Sequence, residues 1–294
     1  MTDVLGTCAS WDDGRLVVRR EDGELVTIAT ADVVSGKPVP PRPSVHRRLD
    51  PVEADRLALP GWRPLESEPL GEWVLRASEG FSSRGCSVLS LGDPGIPLTQ
   101  AVTETQQWYS SRGLRPQAHV HPGSPPDTAF REAGWRAYES TSLMLASASR
   151  VLRRLGQTDS AGAGLEVTLT DHVDEAWLAT DERSARFGSA ARAVLEAGDV
   201  VLATVRDPTG AVLSRGRGAF HGDWLGVSSV WTEPSRRGQG LGAVVLRELL
   251  EWGAEQGATT TYLQVVESNT VARDLYERRG YELHHRYDYL APSV

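Results

Sequence analysis

The sequence predicts a mixed α/β (α+β) protein: two tandem copies of one mixed-sheet fold, preceded by a small β unit. Three observations carry that expectation. Short strand-like runs with Asp-Gly turns fill the first forty residues. Strand-like and helix-like segments alternate through the second half of the chain, which calls for a mixed sheet. The order strand, turn, long helix, strand, short helix, glycine, aromatic, strand then occurs twice. With 294 residues, the length alone suggests about two domains of ~150 residues.

Residues 1–40 come first. Asp13-Gly14 and Asp22-Gly23 bracket a strand at 15–20, and 24–30 is the answering strand. So short a segment cannot bury a large core, and a small SH3-like barrel leaning on the rest is expected. Trp11 is its only aromatic residue, so a structural appendage fits better than a module for proline-rich ligands. Residues 36–44, Gly-Lys-Pro-Val-Pro-Pro-Arg-Pro-Ser, read as a stiff extended linker.

The second unit spans 41–146. Strands are expected at 72–77 and 86–91, followed by the turn Gly92-Asp-Pro-Gly95. A helix over 99–112 is closed by Gly113. A strand at 114–120, a short helix at 126–133 and a strand at 135–145 complete the unit. Residues 146–164 are small and polar, and read as a linker with a short helical turn.

The third unit spans 165–294. A strand at 165–170 leads to Asp171, placed to cap a helix over 172–180. A second helix covers 184–197. Residues 200–205 and 211–220 make a hairpin about Asp207-Pro-Thr-Gly210. An apolar strand, 224–232, ends at Pro234, and a glycine-rich turn leads into a helix over 240–256 on which Leu241, Val245, Leu249 and Trp252 recur. A strand at 260–266, a helix at 269–279 and one or more strands over 281–290 follow.

Glycines between a strand and a helix N-terminus let the backbone approach a ligand and turn several N–H groups one way. The partial positive charge of the helix end suits a diphosphate. The turn lacks the lysine and hydroxyl residue of a P-loop, and its glycines are too close together for the dinucleotide pattern. A plain strand-to-helix turn, with glycine supplying only positive φ, fits the same residues.

The two copies differ where chemistry would reside. Leu275-Tyr-Glu-Arg-Arg-Gly-Tyr281 matches Ala129-Phe-Arg-Glu-Ala-Gly-Trp135, and Trp252 precedes Gly257 as Trp108 precedes Gly113. The first copy has Gly-Asp-Pro-Gly at the place of the glycine-rich turn. There the proline removes a donor and the aspartate repels phosphate. Phe130 stands for Tyr276 and Gly123 for Asn269.

The run Arg237-Gly-Gln-Gly-Leu-Gly242 fits Arg-x-x-Gly-x-Gly, and Asn269-x-x-Ala-x-x-Leu-Tyr276 with Gly280-Tyr281 follows it. In these motifs the chain resembles the GCN5-related N-acetyltransferase (GNAT) superfamily. The resemblance implies tandem GNAT-like folds, the first degenerate and the second active. It implies acetyl-CoA as co-substrate, lying in a V between strands 224–232 and 260–266, with no metal. Val230, Trp231 and Thr232 would then meet the pantetheine arm. The backbone of Arg237, Gly238, Gln239, Gly240, Leu241 and Gly242 would hold the pyrophosphate. Asn269 would hold the pantetheine.

By the same resemblance Tyr276 would be the catalytic acid. An amine attacks the thioester carbonyl, and a phenol near the sulfur protonates it as it leaves. A backbone N–H of the bulged strand would stabilise the oxyanion. Asn269 and Tyr276 are two helical turns apart and share a face. Helix capping by Asn269 and core packing by Tyr276 are the simpler roles for each residue alone.

The general base is open. Relatives that modify ribosomal-protein N-termini carry a glutamate where Gln264 stands. Glu233 and Glu267 read as surface charges and His221 as a turn residue.

The expected activity is N-acetylation of a primary amine on a small molecule or protein. The alternative is a non-catalytic acyl-CoA-binding or regulatory protein. A net charge of −8 argues against a nucleic-acid surface and is compatible with a cationic acceptor. Cys8 and Cys86 match neither a disulfide nor a metal pattern, no signal segment is evident, and no apolar run approaches ~20 residues, so a cytoplasmic protein without membrane contact is expected. Oligomeric state is not legible.

Overall fold

The computed structural model describes residues 4, 6–12, 14–20, 24–35, 48–156 and 165–293. The chain divides into two compact units, residues 1–44 and 45–294. The proline-rich segment 36–44 and the turn residues Asp13, Asp22 and Gly23 lie outside the described residues.

In the first unit β1 (Thr7–Asp12), β2 (Arg15–Arg19) and β3 (Leu25–Ala29) form an antiparallel sheet in sequence order. The expected barrel is not seen: the described residues form an open three-stranded sheet. Three five- or six-residue strands are too few to close. Val18 is the only buried side chain described in this unit, at 7% exposure.

The second unit opens with α1 (Pro51–Ala58), which the sequence reading left unassigned. Asp50 accepts the Val52 N–H at 2.8 Å, and Pro51 stands at the first helical position, where its missing N–H costs nothing. Then come β4 (Glu66–Leu70), β5 (Trp73–Ala77), β6 (Val88–Leu89), α2 (Leu98–Ser110), β7 (Ala118–Val120), α3 (Pro125–Glu132) and β8 (Trp135–Ser147). The strand expected over 86–91 is reduced to two laddered residues.

The segment expected to be a linker is partly α4 (Ala148–Gly156), because Ala148, Val151 and Leu155 recur at helical spacing and bury themselves. Next are β9 (Glu166–Thr170), α5 (Glu175–Leu178), α6 (Glu182–Leu195), β10 (Asp199–Arg206), β11 (Val212–His221) and β12 (Trp224–Thr232). The helix after β9 starts later than expected: Asp174, not Asp171, caps it by accepting from Trp177 N–H at 2.7 Å. The chain ends with α7 (Leu241–Glu255), β13 (Thr260–Val266), α8 (Thr270–Arg278) and β14 (Glu282–Pro292).

Among the described residues, the strands after residue 45 join one sheet in the order β4-β5-β6-β7-β14-β8-β13-β12-β11-β10-β9. The closing strands are exchanged. β14, last of the second repeat, pairs with β7 of the first, and β8 pairs with β13 of the second. β8 and β14 pair with each other at the centre. The repeat is visible in the backbone as well, since Gly134 and Gly280, each after its short helix, have φ of +87° and +99°.

Other contacts join the repeats. The fully buried Arg217 donates to the carbonyls of Gly61 and Leu195 at 2.8 and 2.6 Å. The Tyr262 hydroxyl donates to Ala58 O at 2.9 Å.

Candidate active site

β12 and β13 are parallel neighbours over only part of their length. Trp224–Val227 pair with Thr260–Leu263, and beyond Val227 the ladder ends. A bulge marks the change. Ser229 has φ +54°, and the β11–β12 register skips Ser229 and Val230 between the pairs with Arg217 and Arg215. Ser229 and Val230 thus have no register partner on β11.

Arg215 fixes this bend. Its guanidinium donates to the Ser229 carbonyl at 2.5 Å, pairs with Asp181, and lies 3.8 Å from the Trp177 ring centre. Burial holds its pKa down to about 10, still charged at any working pH. Nothing in the sequence pattern singled out Arg215. A charged residue inside an otherwise apolar strand, in Ser-Arg-Gly-Arg-Gly218, was the available signal.

The open end of β12 leads into the glycine turn. Gly238 and Gly240 have φ of +76° and +81°, and Gly240 is the residue that caps α7. A Cβ at Gly238 would meet nothing within 4 Å, so glycine is required there by conformation, not by space. No side chain caps α7, and among the described residues the N–H groups of 238–242 meet no protein acceptor. Ala243 and Val244 begin the helical pattern by donating to Gly240 O at 2.9 and 3.1 Å. Arg237 Nε donates back to Thr232 O at 3.3 Å, which ties the turn to the strand end. Val230, Trp231 and Thr232 are half-buried beside the open edge, whereas Gln239 is exposed and Leu241 is buried in the core.

The equivalent turn of the first repeat is satisfied internally. Asp93 N–H donates to Glu72 at 2.7 Å and Gly95 N–H to Asp93 at 2.8 Å. Pro97, at the cap of α2, has no N–H. That turn has few donors left for an anion.

Asn269 caps α8, accepting from Ala272 N–H at 3.1 Å, and is exposed. Tyr276 is 8% exposed, with its ring edge-on to Tyr281 at 5.6 Å. Among the described residues no hydrogen bond engages its hydroxyl, and burial pushes its pKa up to about 12. Phe130 and Trp135 make the matching pair in the first repeat, at 4.6 Å.

No candidate base is well placed. Glu267 accepts from the Ser142 hydroxyl and pairs with Arg286 and Arg273 at 3.2 and 3.0 Å, and these contacts keep its carboxyl below its ordinary range despite partial burial. His221 lies at the closed end of β12. Trp224 and Ser229 are five positions apart, a distance of about 17 Å along a strand. Gln264 has a buried Oε1 without a partner, in a small cavity shared with Asp55, Arg76, Arg84 and His119.

A cluster the sequence reading missed lies near that cavity. Asp55 of α1 meets His119 and His121 of the β7 region and His285 of β14. The signals available were the alternating pair His119-x-His121 and the doublet His284-His285.

A splayed parallel strand pair, a bulge and an uncapped helix after a glycine turn define the GCN5-related N-acetyltransferase fold, present here in tandem. The chain is similar to the GCN5-related N-acetyltransferase from Kribbella flavida, with TM-score 0.57 and 18% identity over 85% of this chain and 96% of that one. It is also similar to a tandem GNAT protein from the clavulanic acid biosynthesis pathway, with TM-score 0.51 and 13% identity over 67% and 69% of the two chains. The chain belongs to the family described as "Probable histone acetyltransferase Rv0428c C-terminal", whose model matches residues 51–290. The relative named "Probable histone acetyltransferase Rv0428c", from Mycobacterium tuberculosis, is 27% identical over 307 aligned residues, covering 100% of this chain and 90% of that protein. Among the described residues no helix is long and apolar enough to cross a membrane.

Proposed function

We propose that the chain is an acetyl-CoA-dependent N-acetyltransferase acting on a primary amine. The observation that carries this reading is the unpaired row of N–H groups at 238–242, set where β12 parts from β13. Acetyl-CoA supplies an activated acetyl group as a thioester. The turn holds the diphosphate, and the free edge of β12 at Val230, Trp231 and Thr232 aligns the pantetheine arm. Asn269 supports that arm from the start of α8, and the N–H groups of the bulge face the developing oxyanion.

Tyr276 then serves the leaving sulfur. Its phenol stays protonated at every working pH because burial holds its pKa near 12. Complete transfer of that proton to a thiolate of pKa about 8.5 is roughly three to four units uphill. Its contribution is therefore a hydrogen bond that strengthens as negative charge collects on sulfur. Tyr276→Phe is expected to lower kcat about 10²-fold with little change in coenzyme A affinity. Thiol release measured beside calorimetry checks this. A large loss of affinity at unchanged kcat would make Tyr276 a packing residue, and an unchanged enzyme would remove it from the chemistry.

With glutamine at 264, the acceptor amine loses its proton to water. The amine reacts only as the free base, so kcat/KM should rise about tenfold per pH unit up to the pKa of the acceptor. That pKa is about 8 for an α-amine and about 10.4 for a lysine. Profiles measured with acceptors of different basicity should shift with the acceptor. A common ionisation near neutrality for all of them would expose a base on the protein and refute this account.

The relative named as a histone acetyltransferase and the net charge of −8 favour a lysine-bearing acceptor. A second reading is a protein that binds acyl-CoA without turning it over. It draws on the amide at 264, where the base would stand. Amine-dependent thiol release over a panel of acceptors separates the two: its absence, with binding retained, selects the second.

A further inference from the structure

We propose that Asp55, His121 and His285 form a binding site for one divalent transition-metal ion, Zn2+ foremost, in which α1, β7 and the exchanged strand β14 are pinned together. The three ligand atoms lie within 4.8 Å of one another, with Asp55 and His285 buried and His121 half-buried. His121 Nε2 and His285 Nε2 stand 2.7 and 3.3 Å from Asp55 Oδ2. Neighbouring ligand atoms of a tetrahedral zinc site, with bonds of about 2.0–2.1 Å, are separated by roughly 3.3 Å. The two observed spacings bracket a contracted and a full edge of such a site. Two imidazoles and one carboxylate suit zinc and its transition-metal neighbours; magnesium and calcium prefer oxygen alone.

Hydrogen bonding leaves one atom of the cluster unsatisfied and needs an added proton at the His284–His285 pair. His284 Nε2 lies 2.9 Å from the Leu49 carbonyl, which can only accept, so that nitrogen carries the proton. In neutral His284 the other nitrogen, Nδ1, is then an acceptor, and His285 Nδ1, 2.8 Å away, must donate to it. This leaves neutral His285 with a bare Nε2 lone pair directed at a carboxylate oxygen. Such a contact is repulsive unless a cation lies between the two atoms, either a proton carried by the His284–His285 pair or a metal ion. The other carboxylate oxygen, Asp55 Oδ1, is buried without a hydrogen-bond partner, although Asp55 is only 3% exposed. A metal ion held by both carboxylate oxygens and the two imidazoles satisfies all of these atoms.

The surroundings are those of a supported site. His119 Nε2 stands 3.1 Å from Asp55 Oδ2 and stacks on Tyr287 at 3.8 Å, so it orients the carboxylate. His284 orients His285 in the same way. Of the three ligands only His121 lines the first repeat's cleft of about 420 Å³, beside Ser90, Pro94 and Ser124. The entry path to the site lies on that side. The site departs from the metal-free chemistry that the sequence suggested, and it is independent of acetyl transfer.

Tag-free, full-length protein is to be incubated with Zn2+, freed of excess metal by gel filtration and subjected to elemental analysis. About one ion per chain is expected, with a melting temperature that falls on chelation and recovers on adding Zn2+. Co2+ in place of Zn2+ should give the visible absorption of a four-coordinate nitrogen–oxygen site. His121→Ala and His285→Ala should each hold less than about a tenth of the wild-type metal. Wild-type protein that stays metal-free after incubation, with no Co2+ spectrum, overturns the proposal. So does full metal content in both variants, which would place the ion elsewhere. If a variant fails to fold, the wild-type Co2+ spectrum and stoichiometry decide.

Discussion

Gly240→Asp is expected to abolish coenzyme A binding, weakening it at least 100-fold. Gly240 has φ +81° and caps α7, so its surroundings are the row of N–H groups at 238–242. A carboxylate there adds a negative charge to a site built for a diphosphate. At ~5 Å and an effective dielectric constant of ~20, each phosphate charge is repelled by about 3 kcal/mol. Strain from positive φ adds at most about 1–2 kcal/mol to the folded state. Gly240→Ala separates the two contributions, since it carries the strain without the charge and should cost far less affinity. Calorimetry should give about one cofactor site per chain in the wild type, because the turn at 92–95 spends its donors on Glu72 and Asp93. Two sites per chain, or nanomolar-to-micromolar binding that survives Gly240→Asp, would show that the diphosphate lies elsewhere.

Residues 165–294 expressed alone are expected not to fold cooperatively, although they contain the whole candidate active site. The reason is the strand exchange. Without residues 48–156, the edge of β13 from Thr260 to Val266 loses its partners Ser147 to Thr141. β14 loses β8 on one side and β7 on the other. The buried Leu143, Met144 and Leu145 of β8, at 0–2% exposure, would no longer cover this part of the sheet. Removing three such side chains forfeits about 2–5 kcal/mol each, of the order of the whole stability of a domain. An exposed edge of that length also invites aggregation. Urea unfolding followed by circular dichroism tests the point. A cooperative transition in the isolated fragment, together with wild-type acetyl transfer, would show that the exchange is dispensable. Recovery of structure on mixing with a 45–156 fragment would confirm that the missing strands are the cause.

Most of the elements were legible because they follow local rules. A turn signal at Asp207–Gly210 placed β10 and β11, an apolar run placed β12, helical spacing placed α7, and glycines at positive φ follow α2 and α7 at Gly113 and Gly257. The errors were also local. α1 was missed although Asp50-Pro51 is a regular helix start, and α4 was read as only a short helical turn within a linker because its apolar residues are small or widely spaced.

What the chain determined by itself was the repeat and the contrast within it. Glycine at 238 and 240 against Asp93 and Pro94, and tyrosine at 276 against Phe130, are differences of donor and hydroxyl that no packing can change. Only the tertiary structure decided where the repeats end. A strand pattern records which face of a strand is apolar, not which edge it joins, so nothing in residues 135–147 or 282–292 foretold that each would complete the other repeat. The cluster of Asp55, His119, His121 and His285 exists for the same reason. Its members lie up to 230 positions apart along the chain and meet only because β14 crosses into the first repeat and brings His285 to α1 and β7.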